Sequence, residues 1–353
     1  MLDAASEQGG HAATPFWSPR DPLPRLTDTK NLCVFALQAT AELGNRIAAA
    51  LDITLSAHEE RTFEDDEHKV RPLDNVRGAD IYVVQSLHSG PAESANDKLC
   101  RLLFFIGALK DAGAGRVTAV VPYLCYARKD RRTKPHDPVT TRYVAGMFES
   151  AGADRVVTLE VHNPVAFENA FRRPTVTLSG SPLLVDFARR FGGEKLCVIS
   201  PDPGGAKRAE LFRETLETVL AQPIGKGFAD KHRSAGVVSG HLFVGEAAGA
   251  TALIVDDLLS TGHTLLRAAK AVREAGAQHV IALVTHGLFM QGAEAVLADP
   301  AIDQFVTTDS VPDFRLTAKA ARHKLTILPC APLLAETVRR LHEDRDLTEL
   351  LVF

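Results

Sequence analysis

IVDDLLSTGHTLL, residues 254–266, decides how the rest of the chain is read. An apolar strand ends on Asp256 and Asp257, small polar residues follow, and helical spacing resumes at Leu265 and Leu266. Adjacent carboxylates repel and are costly to dehydrate, so core burial alone does not ask for them. A strand that runs into a helix in an open α/β sheet places its last residues at the ligand-binding edge. Ser260, Thr261, Gly262 and Thr264 offer hydroxyls and backbone N–H groups at the helix start, a cradle for phosphate. The carboxylates suit sugar hydroxyls or a hydrated Mg²⁺. A sugar phosphate satisfies both halves. A plain helix cap at Ser260 or Thr261 explains one acid and one hydroxyl but not the doublet.

Around this stretch, the runs IYVVQS, RVTAVVPY, RVVTLEVH, KLCVIS and HVIALVTHG alternate with helical segments such as NDKLCRLLFFIGALKDAG. Apolar runs without polar alternation indicate strands buried on both faces, joined by crossover helices. One junction occurs three times, as DAGAGRVTAVV (111–121), SAGADRVVTLE (150–160) and EAGAQHVIALV (274–284). Each closes a helix on glycine shortly before a buried strand. The expectation is an α/β protein of two related, open, mostly parallel sheets flanked by helices, with one large sheet as the alternative. The expected divisions are a flexible arm over 1–30, an N-terminal α/β domain over 31–176 and a C-terminal α/β domain over 177–353, the prolines and Gly180 at 174–182 marking the joint.

The 353 residues suit about two domains, and 45% hydrophobic with 24% charged residues is ordinary globular composition. A formal net charge of -4 gives no basis for expecting nucleic acid as a partner. Cys33, Cys100, Cys125, Cys197 and Cys330 are scattered without CxxC spacing, as in a reduced, cytoplasmic protein. No apolar run approaches the roughly 18 residues of a membrane span, and the first residues lack a signal-peptide pattern.

The 254–266 stretch resembles the PRPP-binding signature of phosphoribosyltransferases and ribose-phosphate pyrophosphokinases (PRPP synthetases). Resemblance to the synthetases extends over about 31–311, through VRGADIYVVQS, VTAVVPYLCYARKDRR, AGADRVVTLEVH, VISPDPGGAKRA, FADKHR, ALIVDDLLSTGHT and VTHGLF in that family's order. It implies a phosphoribosyltransferase-like fold and transfer of the diphosphoryl group of ATP to the C1 hydroxyl of ribose 5-phosphate, with Mg²⁺. It further implies a homo-oligomer built from dimers, with a hexamer as the larger form.

By this resemblance, Arg128, Lys129 and Asp130, in the basic loop that also carries Arg131, Arg132 and Lys134, contact ATP. Phe63, Asp65 and Glu67, in RTFEDDEHKV, resemble an adenine-binding hairpin that serves a neighbouring subunit. His162 faces the triphosphate and, with Asp202, the metal. Lys231 and Arg233 match the catalytic flap, taken as mobile because AGVVSG follows. Asp256, Asp257, Ser260, Thr261, Gly262, His263 and Thr264 match the pentose phosphate loop.

The departures are Lys129 for glutamine, Asp66 for glycine, Pro203 for histidine, Ser260 for aspartate and His263 for a small residue. NPVAFENAF also departs from the regulatory segment of diphosphate-inhibited members. A phosphoribosyltransferase that consumes PRPP is the first rival reading, and it has no use for an ATP hairpin. A non-catalytic synthetase-associated regulatory protein is the second, and it would not need Lys231, Arg233 and both aspartates.

Overall fold

The structure, a computed structural model, describes residues 17–234 and 237–351, without the side chains of 230–242 and 320. Ten helices are described: α1 (Ala41–Ala50), α2 (Ala95–Asp111), α3 (Thr140–Ala151), α4 (Pro164–Ala170), α5 (Ser181–Ala188), α6 (Ala206–Leu220), α7 (His263–Glu274), α8 (Ala293–Ala298), α9 (Lys319–His323) and α10 (Ala331–His342). The first sheet has the order β1 (Leu32–Ala36), β4 (Asp80–Val84), β5 (Arg116–Val121), β6 (Arg155–Leu159), β7 (Thr175–Leu178), all parallel.

The second sheet has the order β10 (Val237–Gly245), β9 (Gly225–Ser234), β8 (Leu196–Ser200), β11 (Thr251–Leu259), β12 (His279–Gly287), β13 (Gln304–Thr308), β14 (Leu325–Leu328). Only its β9–β10 edge pair is antiparallel. β2 (His58–Thr62) and β3 (His68–Pro72) form a separate two-stranded hairpin. The two main sheets are the expected ones, and the single large sheet weighed as the alternative is not formed.

The apolar runs are buried on both faces, which is why they lack alternation. In the first sheet, Phe35, Ile81 and Val83 pack on α2 and α3, while Val34, Tyr82 and Val84 pack towards α1 and α10. In the second sheet, Val198, Leu253 and Val255 face α5 and α6, and Ile199, Ile254 and Val284 face α7. Gly113, Gly152 and Gly276 take φ of +90°, +96° and +93°, so the three junctions are helix ends in the left-handed conformation, as read.

Two boundaries differ from expectation. The chain crosses between sheets at Ser179–Gly180, but it also comes back: α10 lies on α1, and Leu351 bridges Leu178 at the edge of the first sheet. An amphipathic helix declares a buried face in sequence, not which sheet will cover it. Residues 17–30, expected within a loose arm, also pack: Trp17 is buried in the α1–α10 cluster, and Thr27 donates to Glu343. No helix among the described residues is long and apolar enough to cross a membrane.

Candidate active site

The carboxyl ends of β5, β6, β11 and β12 converge where the sheets meet. His286, fully buried at the end of β12, joins them: its Nε2 lies 2.8 Å from the carbonyl of Leu159, and its Nδ1 lies 2.7 Å from Ser310 Oγ. A carbonyl only accepts, so Nε2 carries the proton and Nδ1 accepts from the serine hydroxyl. A cleft above this joint is lined by Tyr123, Arg128, Glu160, His162 and Asp257.

Asp256 and Asp257 fall within β11, three and two residues before its last residue, rather than at its end. The Asp257 amide donates to Asp256 Oδ1 at 2.9 Å, and His162 Nδ1 donates to Asp257 Oδ2 at 2.9 Å. The cation that the paired acids demand is Arg208, on the first turn of α6. Its Nη1 is 3.7 Å from Asp256 and 3.6 Å from Asp257, and its Nε donates to Glu160 at 2.9 Å. Glu160 directly follows β6 with φ of +46°, a costly conformation for a residue with a side chain, and its other oxygen accepts from the Gly180 amide at 2.8 Å. A Cβ on Gly180 would meet Thr285 Oγ1 at 2.3 Å, so only glycine lets this connection approach β12.

The two acids are pushed in opposite directions. Burial, followed by the charge of Asp257, pushes Asp256 well above the usual carboxylate range. Burial acts the same way on Asp257, but the His162 hydrogen bond and the Arg208 charge outweigh it and hold that carboxyl far below its ordinary value. The hydrogen bond to Asp257 raises His162 against the opposing effect of burial. The doublet is therefore unequal, with Asp256 raised and Asp257 lowered side by side.

In the cradle itself, Gly262 precedes α7 with φ of +80°, and no side chain caps the helix. Neither Ser260 nor Thr261 takes the capping role, so the first-turn amides face the loop. A Cβ on Gly262 would lie 2.8 Å from Val296 Cγ1. Ser260 contributes its carbonyl to the Met290 amide, at 2.9 Å. His263 is the first residue of α7 and exposed, and Thr264 Oγ1 contacts Arg267 at 3.4 Å.

Other expected residues divide. Arg128 lines the cleft, Lys129 is tied within its own loop to Asp137, and Asp130 accepts from Asn163 Nδ2 at 2.6 Å. Asp202 caps a short 3₁₀ turn, its Oδ1 accepting from Gly204 and Gly205 at 2.9 and 3.1 Å, so those amides are already occupied rather than open to a phosphate. No three His, Cys, Asp or Glu side chains converge as a metal site among the described residues.

Phe63, Asp65 and Glu67 form the β2–β3 turn, with the Phe63 amide donating to the Glu67 carbonyl at 2.7 Å. Asp66 takes φ of +66°, the conformation a glycine would supply. Phe63 is 39% exposed, with the Arg61 guanidinium 4.9 Å from its ring centre. Lys231 and Arg233 lie on β9, paired with His241 and Val238, so the expected flap is an edge hairpin; their side chains, and residues 235–236, are outside the described residues. Glu160, Arg208 and His286 went unmarked in the sequence, although each lies inside a quoted motif.

Family models match on both sides of this joint: the N-terminal domain of ribose phosphate pyrophosphokinase over residues 32–152, and a phosphoribosyl synthetase-associated domain over 237–352. The ribose-phosphate pyrophosphokinase of Hyphomonas neptunium is 36% identical over 319 residues, covering 90% of this chain and 98% of that protein. The enzyme of that name from Chromobacterium violaceum is 38% identical over 323 residues, covering 91% and 94%. The crystal structure of phosphoribosylpyrophosphate synthetase from Mycobacterium smegmatis matches with a TM-score of 0.78 at 33% identity, covering 89% of this chain and 100% of that one. With both halves matched and nine-tenths of its length aligned at this identity, the chain belongs to the ribose-phosphate pyrophosphokinase family.

Proposed function

We infer that the cleft between the two sheets is where this ribose-phosphate diphosphokinase passes the diphosphoryl group of ATP to the C1 hydroxyl of ribose 5-phosphate. The products are PRPP and AMP. The supporting observation is the 2.9 Å contact between His162, at the edge of the first sheet, and Asp257, on the pentose loop strand of the second. It brings the two proposed substrate halves to one point, as an in-line transfer requires. The C1 oxygen attacks the β-phosphorus while the bond from that phosphorus to the α,β-bridging oxygen breaks, and AMP leaves with the oxygen.

In this reading Asp256 and Asp257 hold the sugar hydroxyls, and Thr261, Gly262, His263 and Thr264 surround the 5-phosphate with backbone amides. Arg128, Asp130 and His162 serve ATP. Lys231 and Arg233 act on the charge that spreads over the moving group. Mg²⁺ is the proposed metal, and it neutralises the diphosphoryl oxygens when bound. The absence of a converging ligand cluster among the described residues suits an ion held largely by water and substrate phosphates. His162 Nε2 and the second oxygen of Asp202 are the protein groups available to it. The hairpin, standing as its own sheet with Phe63 exposed, and the exposed Phe104, Tyr143 and Met147 on α2 and α3 support a homo-oligomer with shared sites.

The test supplies ATP, Mg²⁺ and ribose 5-phosphate and separates AMP from ADP. AMP formed in step with PRPP, and abolished by excess chelator, is expected. No nucleotide consumed would return the regulatory reading, and ADP as the product would mean transfer of a single phosphoryl group instead.

A further inference from the structure

Two histidines tie the sheets together at the cleft, and they differ in durability. The outer one is His162, whose side chain is 47% exposed and whose bond to Asp257 competes with water and with the groups that bind there. The inner one is His286, which is buried. Strand register sets His286 beside Leu258 of β11, the residue that follows Asp257. From there its Nε2 donates to the Leu159 carbonyl at 2.8 Å and lies 3.2 Å from the carbonyl of Glu160, three and two residues before His162. Asp257, His286, the Leu159–Glu160 turn and His162 thus close a circuit, and His286 is its buried side. Its grip falls on a strained point, since Glu160 at φ of +46° relaxes unless several contacts over-determine it.

The imidazole is itself held in one orientation. Ser310 Oγ, 2.7 Å from Nδ1, supplies the hydrogen there and leaves Nε2 as the nitrogen that carries the proton. The Tyr123 ring stands edge-on to it, centres 5.2 Å apart and planes 79° to one another. Ser310 is anchored to the first sheet by its carbonyl, which accepts from Ser86 Oγ at 2.6 Å. Burial pushes His286 below the ordinary histidine value, so each nitrogen keeps a single role. We propose that His286 is a positioning residue for the diphosphoryl transfer: by holding the Leu159–Glu160 turn it sets where His162 stands relative to Asp257, and Ser310 sets its tautomer. This rests on the functional reading of the cleft, in which the second sheet holds the sugar and the first holds most of ATP. Losing the grip therefore costs alignment of the reacting atoms, not affinity for either substrate.

The experiment compares His286→Gln, His286→Asn and Ser310→Ala in the full-length protein, below the melting temperature of all three. Glutamine sets an amide N–H near the place of Nε2 and keeps the bond to Leu159; asparagine sets its amide near Nδ1, keeps Ser310 and stops short of Leu159. His286→Asn should lower kcat about tenfold or more with both KM values within about twofold, while His286→Gln keeps about a third or more of kcat. Ser310→Ala should lower kcat about threefold or more and add nothing to His286→Asn, because it acts only through the grip on Leu159. It removes a single oxygen, so it tests the proposal even if His286→Asn fails to fold. Nitrogen NMR of histidine-labelled protein should show His286, assigned by its loss in His286→Gln, protonated at Nε2, and amide exchange at 160–162 should quicken in the asparagine variant but not in the glutamine one. Equal kcat losses in the two His286 variants, a raised KM in place of a lowered kcat, an unchanged kcat in Ser310→Ala, or a proton on Nδ1 would overturn the proposal. No AMP from the unaltered protein is failure of the functional reading; AMP formed, with equal losses in the two variants, is failure of this proposal alone.

Discussion

Arg208→Gln probes the charge arrangement of the site directly. The substitution keeps most of the side chain and removes one positive charge lying 3.6 and 3.7 Å from two carboxylates and hydrogen-bonded to a third. At an effective dielectric near 20, a charge at that distance interacts with each aspartate by roughly 4–5 kcal/mol, an upper limit. Water entry and proton uptake reduce this, so a net loss of about 3–5 kcal/mol in unfolding free energy is expected near neutral pH. The pH dependence has a definite sign. In the intact protein Asp257 is depressed, so its contribution is present above the unfolded carboxylate value and lost only as pH falls through the folded one. Without Arg208, Asp257 moves up towards Asp256, which burial already raises. A carboxyl raised on folding loses stability as pH rises from its unfolded value through its folded one. The gap between the two proteins should therefore widen as pH rises above the ordinary carboxylate range, and the KM for ribose 5-phosphate in the variant should improve towards alkaline pH. Arg208→Lys should recover part of both, having the charge without the fork. Urea unfolding and steady-state kinetics across this range are the assays. A loss below about 1 kcal/mol that does not vary with pH would refute the counter-ion role.

Lys231→Ala should lower kcat by about 10²–10³ with little change in KM or melting temperature; near-normal kcat would end its catalytic assignment. Gly262→Ala forces a side chain into the left-handed region and against Val296, so a loss of about 2–3 kcal/mol and a raised KM for ribose 5-phosphate are expected from unfolding curves and kinetics. His263→Gly should leave that KM within about twofold, because the side chain is exposed, and helicity slightly reduced; a large change would place the imidazole in the cradle. Mixing inactive Phe63→Ala/Glu67→Ala protein with inactive Lys231→Ala protein should recover activity through hybrid sites, and none after verified subunit exchange would argue against shared sites.

The strands were legible because burial on both faces leaves an apolar run that little else produces, and the three glycine junctions because a left-handed helix end has few other solutions. The pentose loop was legible because its chemistry is contiguous. Arg208 was not. Its partner Glu160 is 48 residues away, and in sequence it is one more arginine on a polar helix. The two aspartates signalled that a cation was required without saying where it would come from. Asp202 illustrates the opposite limit: the acid was visible, but its capping of Gly204 and Gly205 depends on a turn that only the fold defines.

Four of the departures from the resembled family, at 66, 203, 260 and 263, share a physical feature: the backbone does the work at those points, not the side chain. Asp66 adopts φ of +66°, which aspartate tolerates better than most residues. Pro203 opens a 3₁₀ turn, a position where no amide is needed. Ser260 is joined to Met290 through its carbonyl, and His263 begins α7 with its side chain in solvent. Such positions accept new side chains because the local geometry is set by the backbone and does not read them. Gly262 and Gly180 have no such freedom, since a Cβ at either would collide with Val296 or Thr285, and neither does Arg208, whose charge three buried acids share. Changes at those three positions should therefore abolish the pentose site in ways that no exchange at 66, 203, 260 or 263 reproduces.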